Sequence, residues 1–452
     1  MKRRHFLGQM AAGTIGFSLA SPVIGAEKNS ANEKVVLALI GCGGRGRQVL
    51  DSVIKENDNV EVKYLCDVNE TLAGIAEDIK KYNGKQGYAP KYAADMRKVF
   101  EDKDVDAVLI CTPEHWHALA TIWALQAGKH VYVEKNPTLS VWEGRKMVEA
   151  ATKYNKVVQV GFQNRSAPYG FSARDYILSG KLGKVVHVKC YNMLGGQKWM
   201  PKEDTKTPAG LNWDAWQGPA KHVPYNPNRH SMTDRGGWLD FWSYGGGALS
   251  DDASHVMDLA RLALNNPAHP KSVYCSGGNI GFGSQKETPE FLNITYDFGD
   301  YAMTCESGSC TGYMSKAGND VRYGTKWPYW PQYSCRTEIY GSDRLMYLGR
   351  HGCGWQVMEK DGKVVAEDKG YFPDKFHHKN FINAIRIGEK PNGDVLQGHL
   401  SASLVHLANI AYRTGKQQLH FDGTTEKFIN NKNADSFLKG NYQAPYVIPD
   451  KV

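Results

Sequence analysis

A lysine, a histidine and two neighbouring aspartates stand where this sequence could move a proton. Lys135 closes the run "VYVEK" and is followed by Asn136 and Pro137. A strand-like run that ends on charge delivers that charge to the rim of a sheet, where a lysine can hydrogen-bond a ligand hydroxyl. Removal from water at such a rim is expected to lower the pKa of the ammonium. Asp251 and His255, in "YGGGALSDDASHVMDLARLAL", are four residues apart. On a helix that spacing puts both side chains on one face, so a carboxylate and an imidazole address one small ligand. Oxidation of a secondary alcohol asks for these residue types. A base takes the O–H proton while the C–H hydride leaves, and a cation steadies the alkoxide that develops. His255, titrating near neutrality, is the expected base, Lys135 the cation and Asp251 the orienting group. Asp252 adds a carboxylate available for a further proton transfer.

A hydride needs an acceptor, and the first third of the chain is built to hold one. Residues 35–40, "VVLALI", are an apolar run of strand length, followed by Gly41, Gly43 and Gly46 in G-x-G-x-x-G spacing and then a helical pattern. Strand, glycine turn and helix form the context in which this motif binds a dinucleotide. Gly41 serves the tight turn, Gly43 lets the backbone approach a pyrophosphate, and Gly46 lets helix and strand pack closely. The second strand, "VEVKYLCDVNE", ends in Asp67, where a carboxylate accepts both ribose hydroxyls and repels a 2′-phosphate. NAD is therefore expected over NADP. Alternating strand and helix patterns continue to about residue 160, which predicts a doubly wound parallel sheet, an α/β Rossmann domain spanning residues 34–160. Ligands bind at the carboxyl ends of such strands. The segments "CTPEHWH", "EKNP" and "GFQNR" each follow a strand and are expected to line one crevice with the glycine turn. Expected cofactor contacts are Gly41, Gly43, Gly44, Arg45, Gly46, Asp67, Thr112, Pro113, His115, His117, Glu134, Lys135, Gln163 and Asn164.

From residue 185 the pattern changes to short alternating strands with turn signals, as in "SVYCSGGNIGF", "FLNITYDF" and "RTEIYGS". This predicts an α+β domain over residues 161–452: a large, mostly antiparallel open sheet, with helices near 375–389 and 399–416 covering one face. An exposed apolar face on the other side would seek a second copy of the chain. Between the halves lies a long polar and aromatic stretch, residues 195–247, expected to cover the crevice. Arg165, Trp199, Arg235, Trp238 and Tyr244 are the candidate substrate contacts, with the tryptophans suited to stack on sugar rings.

The whole-chain properties narrow the classes. A formal net charge of +8 is spread along the sequence without a basic stripe, so no nucleic-acid partner is expected. The N-terminus, "MKRRHFLGQMAAGTIGFSLASPVIGA", has paired arginines, a short weakly apolar run and a small-residue end. That is the form of a twin-arginine export signal, predicting a periplasmic protein with an export signal and linker over residues 1–33. The apolar run is too short to span a membrane, and no later stretch is long and apolar enough to do so. The nine cysteines show no C-x-x-C and no zinc-type spacing, and the histidines show no metal pattern. No metal is expected. Pairings of Cys310 with Cys305 or Cys335 are open to an oxidising compartment.

In this order, the glycine motif, "CTPEHWH", "AGKHVYVEKNP", "VGFQNR" and "YGGGALSDDASHVMDLARLAL" resemble the Gfo/Idh/MocA family of nicotinamide-dependent oxidoreductases. The resemblance runs from about residue 35 to the closing helices. It implies that Lys135 is catalytic beside the nicotinamide, that Asp251 and His255 complete the hydroxyl-handling group, and that Asp258 is structural. Two departures stand out: Asn136 occupies the place usual for proline, and Asp252-Ala253 stand where an apolar residue and glycine are common. Three functions follow from these residues. The first is an exported NAD-dependent oxidoreductase on a sugar, glycoside or polyol hydroxyl, its cofactor loaded before export and tightly held. The second is an NAD-dependent glycoside-cleaving enzyme that oxidises, eliminates and re-reduces. The third is a sugar-binding scaffold on a disused oxidoreductase fold.

Overall fold

The computed structural model describes residues 33–72, 74–196, 198–230, 237–309 and 312–452. The expected export signal, Arg235 and Cys310 lie outside these residues. Six short strands make the first sheet: β1 (Val35–Ile40), β2 (Val60–Cys66), β3 (Lys91–Ala93), β4 (Ala107–Ile110), β5 (His130–Val133) and β6 (Val158–Val160). Their order is β3-β2-β1-β4-β5-β6 and every pairing is parallel. All four residues of β4 are buried, which explains its unbroken apolar run: helices cover both faces of a parallel sheet. Those helices are α1 (Gly44–Glu56), α2 (Ile75–Gln86), α3 (Met96–Glu101), α4 (Glu114–Gln126) and α5 (Val141–Tyr154). The strand order reverses between β1 and β4, the switch point at which such sheets open a ligand crevice. "VYVEK" stops being strand at Val133, so Glu134 and Lys135 project from the rim.

The second sheet has ten strands in the order β14-β13-β12-β11-β7-β10-β9-β8-β15-β16. They are β7 (Val185–Met193), β8 (Ser272–Gly278), β9 (Phe291–Asp297), β10 (Ala302–Gly308), β11 (Cys335–Gly341), β12 (Leu345–Gly349), β13 (Gly354–Met358), β14 (Val364–Asp368), β15 (Leu419–Asp422) and β16 (Lys427–Phe428). The sheet is mixed: β7 runs parallel to β10 and the other pairings are antiparallel. On β9, Leu292, Ile294 and Tyr296 point into the core while Asn293, Thr295 and Asp297 face outward. The helix Asp252–Ala263, buried along its whole length, lies against that inner face.

Three expectations are corrected. The helix Asp374–Ile387 does not cover the second sheet. Its Phe381 and Ile382 are fully buried against Leu37, Leu39 and Tyr132 of the first, because its apolar stripe matches the uncovered flank of α1. Of the two closing helices, Val395–Arg413 alone lies on the second sheet, where it packs against β8 beside Asp252–Ala263. The outer face of that sheet is polar rather than apolar: His187 stacks on Tyr340, the Arg336 guanidinium lies 3.9 Å from the Tyr191 ring centre, and Arg336 pairs with Glu338 at 2.8 Å. Finally, the aromatic stretch between the halves forms a core of its own. Trp199, Trp213, Trp216, Tyr225, Phe241 and Tyr244 bury one another, with Trp213 and Trp216 stacked at 4.6 Å.

Among the described residues no helix is long and apolar enough to cross a membrane, and the eight described cysteines are unpaired. Replacing Phe381 by Ala should destabilise the protein by about 3–5 kcal/mol, the cost of truncating a buried ring. The unfolding midpoint in urea measures it, and a change below about 1 kcal/mol would show that this helix is not part of the nucleotide-side core.

Candidate active site

The glycine turn has the geometry that its sequence demands. Gly41 adopts φ +90°, and a Cβ there would sit 2.8 Å from the Cys111 backbone. A Cβ on Gly46 would lie 2.1 Å from the Gly41 carbonyl oxygen, so helix α1 can meet β1 this closely only through glycine. Gly43 and Gly44 face open space, and no side chain caps α1. The free N–H groups of its first turn are therefore available to an anion. The Asp67 carboxylate beside them accepts from the Cys42 and Asn69 backbone N–H groups at 2.8 and 2.9 Å. Burial pushes its pKa up, and those donors hold part of the rise back. An open, uncapped helix N-terminus next to a carboxylate fits the pyrophosphate and ribose of NAD.

Arg45, one residue further, ties this loop to the rest of the crevice floor. It pairs with Glu134 at 3.0 Å and with Asp374 at 3.3 Å. Burial alone would raise the Glu134 pKa, but the Arg45 guanidinium outweighs it and keeps the carboxylate ionised. Gln163 donates to the Tyr132 hydroxyl at 3.1 Å and to Glu134 at 3.2 Å. Asn164 turns away and donates to the Tyr169 hydroxyl and the Arg350 carbonyl. Pro113 opens α4, and the Thr112 carbonyl is held by His117. Arg45, Glu134 and Gln163 thus brace the crevice from within. Neither expected histidine faces a cofactor. His117 places one ring nitrogen 2.7 Å from the Thr112 carbonyl and the other 2.7 Å from that of Asn136, and its neutral ring donates to one of them, between the end of β4 and the turn after β5. His115 is buried under the aromatic core, 2.8 Å from the Trp216 carbonyl, and burial brings its pKa down to about 3.

Lys135 meets Asp251 across the seam between the two sheets, at 2.7 Å, and also points at the Ser250 carbonyl at 3.5 Å. The Lys135–Asn136 peptide bond is cis. Burial does press the lysine pKa down, as expected, but the carboxylates of Asp251, Asp252 and Glu114 prevail and the net shift is upward. Lys135 is an ammonium here, not a lowered-pKa amine. His255 departs from expectation in the opposite sense. It is 3% exposed, edge-on to Phe162, and held well below its ordinary pKa by burial and by the charges of Arg350 and Lys135. The imidazole is neutral and reluctant to take up a proton. Asp252 is likewise no proton-transfer group. Arg350, at 3.1 Å, and Lys316 pair with it and, against the effect of burial, hold its pKa well below the ordinary value.

The expected substrate contacts are redistributed. Arg165 is buried against Asp258 at 2.6 Å, a structural ion pair with no face toward the crevice. Trp199 and Tyr244 belong to the aromatic core, and Trp238 packs against it, so the need of this stretch for its own buried surface displaces a stacking role. Arg235 lies outside the described residues. Three charged groups near the site were not singled out from sequence for it. Arg350 and Lys316 come from distant turns and carry no local signal. Glu114 was readable, since it stands inside "CTPEHWH" as an acid in the first turn of α4.

A profile described as an oxidoreductase family with an NAD-binding Rossmann fold matches residues 35–162, and its C-terminal alpha/beta companion matches residues 174–296 and 349–448. The chain belongs to the Gfo/Idh/MocA family. It is 33% identical over 362 residues to scyllo-inositol 2-dehydrogenase (NAD(+)) of Bacillus subtilis, covering 78% of this chain and 87% of that one. Levoglucosan dehydrogenase of Pseudarthrobacter phenanthrenivorans is 29% identical over 45% of this chain and 42% of its own. A glycosyl hydrolase family 109 protein of Stenotrophomonas maltophilia is 31% identical over 42% and 41%. Among solved structures, levoglucosan dehydrogenase in complex with NADH and levoglucosan superposes with a TM-score of 0.60 at 18% identity, over 86% of this chain and 99% of that one. This member of the Gfo/Idh/MocA family is an NAD-dependent oxidoreductase acting on CH–OH donors.

Gly43→Asp tests the cofactor seat. The fold has room for the side chain, so the circular dichroism should be unchanged, while the added carboxylate meets the pyrophosphate position. NAD affinity measured by calorimetry should fall at least tenfold, about 1.4 kcal/mol. Unchanged affinity would remove the Gly43–Gly44 turn from the site.

Proposed function

We propose that the enzyme oxidises a secondary hydroxyl of a sugar, glycoside or polyol, after export to the periplasm through its twin-arginine signal and with its NAD held throughout. The observation that carries this reading is the Lys135–Asp251 pair, fixed beside the glycine turn at the carboxyl end of β5. The similarity to an inositol dehydrogenase over most of both chains supports the substrate class. When bound, NAD supplies the hydride acceptor. The chain's own residues handle the oxygen. Lys135, charged and only 15% exposed, stabilises the developing alkoxide. Asp251 holds the ammonium in place. Neutral His255 accepts a hydrogen bond from a neighbouring hydroxyl of the substrate and so orients the reacting C–H bond.

Lys135→Ala should lower kcat by about 10²–10³-fold, the size expected for loss of one preorganised charge, with a smaller change in KM. A rate within threefold of the parent would refute the role. A second reading, redox-neutral cleavage of a glycoside, is supported by the glycosyl hydrolase family 109 relatives, which this chain matches over less than half of its length. Incubation with scyllo-inositol, levoglucosan and aryl glycosides separates the two. Net reduction of the nicotinamide indicates a dehydrogenase, whereas aglycone release with no net reduction indicates cleavage. Self-association across the polar outer face of the ten-stranded sheet belongs to the same proposal. Light scattering of the full chain, compared with the Arg336→Glu variant, tests it.

A further inference from the structure

The alcohol proton needs a destination that neither His255 nor Asp252 provides. We propose that Glu114 is the internal proton acceptor for Lys135, and that the cavity behind it conducts the proton to solvent between Trp242 and Arg413. Glu114 opens α4 directly after β4 and is 0% exposed. Its carboxyl lies beside the backbone of Asn136 and beside Ser250, whose carbonyl faces the Lys135 ammonium. The carboxyl approaches the Ser250 side chain and the Asn136 backbone closely enough for both to lower its pKa, but neither oxygen makes a hydrogen bond of full geometry among the described residues. An unpartnered carboxyl in a dry interior would be costly, and such groups are normally satisfied by protein or by buried water.

The surroundings provide for water. Glu114, Asn136, His406, Asn409, Trp242 and Arg413 are among the residues lining a cavity of about 40 Å³. One water needs about 10–15 Å³ of such space. Both amide atoms of Asn136 and Oδ1 of Asn409 are also buried without partners. The residues lining the cavity therefore carry five polar atoms without a hydrogen bond of full geometry, including those of Glu114. Its outer end is formed by Trp242, partly exposed, with the Arg413 guanidinium 4.9 Å from the Trp242 ring centre and 4.4 Å from that of Phe437.

The proton balance closes without an added reactant. An Nζ–H proton of Lys135 first passes to the Glu114 carboxylate, directly or through cavity water, which frees the Nζ lone pair. As the C–H electron pair leaves in the established oxidation, the hydroxyl proton passes to that lone pair. The O–H bond and one N–H bond break, one N–H bond and one carboxyl O–H bond form, and Lys135 is an ammonium again when the step ends. Glu114 then loses its proton to the cavity water. Burial raises the Glu114 pKa, Lys135 lowers it in part, and the result is about 7, so the carboxyl can both take and release a proton at neutrality. The other ionisable groups facing it or its cavity are Asp251 beside the helix Asp252–Ala263, His406 and Arg413 on Val395–Arg413, and His117 on α4 itself. Burial keeps His406, with a pKa of about 3, and His117 neutral in this range. The sign follows: the acceptor form appears as pH rises through about 7, so alcohol oxidation rises there and the reverse reduction falls.

The inference rests on the oxidoreductase reading, and one arm of its test does not. Infrared difference spectra of the full chain without substrate, titrated through neutrality, should show the carbonyl stretch of a buried carboxylic acid vanishing with a midpoint near pH 7. Glu143, also raised to about 7 by burial, contributes a similar band, so spectra are compared with both Glu114→Gln and Glu143→Gln. Loss of a distinct component in Glu114→Gln supports the assignment, and its persistence there overturns it. In single turnovers of the NAD-loaded enzyme with scyllo-inositol or levoglucosan, Glu114→Gln should slow oxidation at least tenfold and erase the limb near pH 7. Glu114→Asp should restore part of both. A wild-type pH profile in Glu114→Gln refutes the relay. If neither probe is turned over, the infrared arm still decides the question for Glu114.

Discussion

The site depends on one buried ammonium that neither sheet can stabilise alone. Lys135 projects from the end of a parallel strand into a place with little water, where an unpaired charge would be strongly unfavourable. Its partner, Asp251, stands at the start of a helix seated on the other sheet. The charge is paired only when the two sheets are docked in this arrangement. The braces around it serve the same end. His117 fixes the turn that carries Lys135, Arg45 joins the glycine loop to Glu134, and the Arg165–Asp258 pair locks the segment after β6 to the Asp251 helix.

Three ionisable groups in this small volume are driven to three different states by their neighbours. Lys135 is held charged by carboxylates, His255 is held neutral by burial and by Arg350, and Glu114 is left near balance between burial and Lys135. Arg350 and Lys316 give the site its excess positive charge, and Asp252 is the anion they share. The departure at Asp252 from the residue common at that place is thus explained by electrostatics: it neutralises cations that would otherwise repel Lys135.

The parallel sheet and its glycine turn were legible in the sequence because each rests on a local signal, an apolar run and a glycine spacing, whereas the meeting of Lys135 with Asp251 was implied by the family resemblance. The failures share a different cause. The pKa of Lys135 was misjudged because its sign depends on which charges approach from remote segments. Trp199, Tyr244 and Arg165 have the composition of binding residues, yet their burial is decided by packing among residues far apart in the chain. Helix Asp374–Ile387 has an amphipathic pattern, but a pattern names a buried face without naming what buries it.

That helix has a consequence for how the protein is made. The six parallel strands are complete by Val160, whereas Phe381 and Ile382, which seal one flank of their core, follow only after β7 to β14 of the second sheet. The nucleotide-binding half therefore emerges from the ribosome with an apolar flank uncovered and closes last. The same helix carries Asp374, which reaches Arg45 of the glycine loop, so that loop receives its full set of partners only after the first sheet and most of the second have been made.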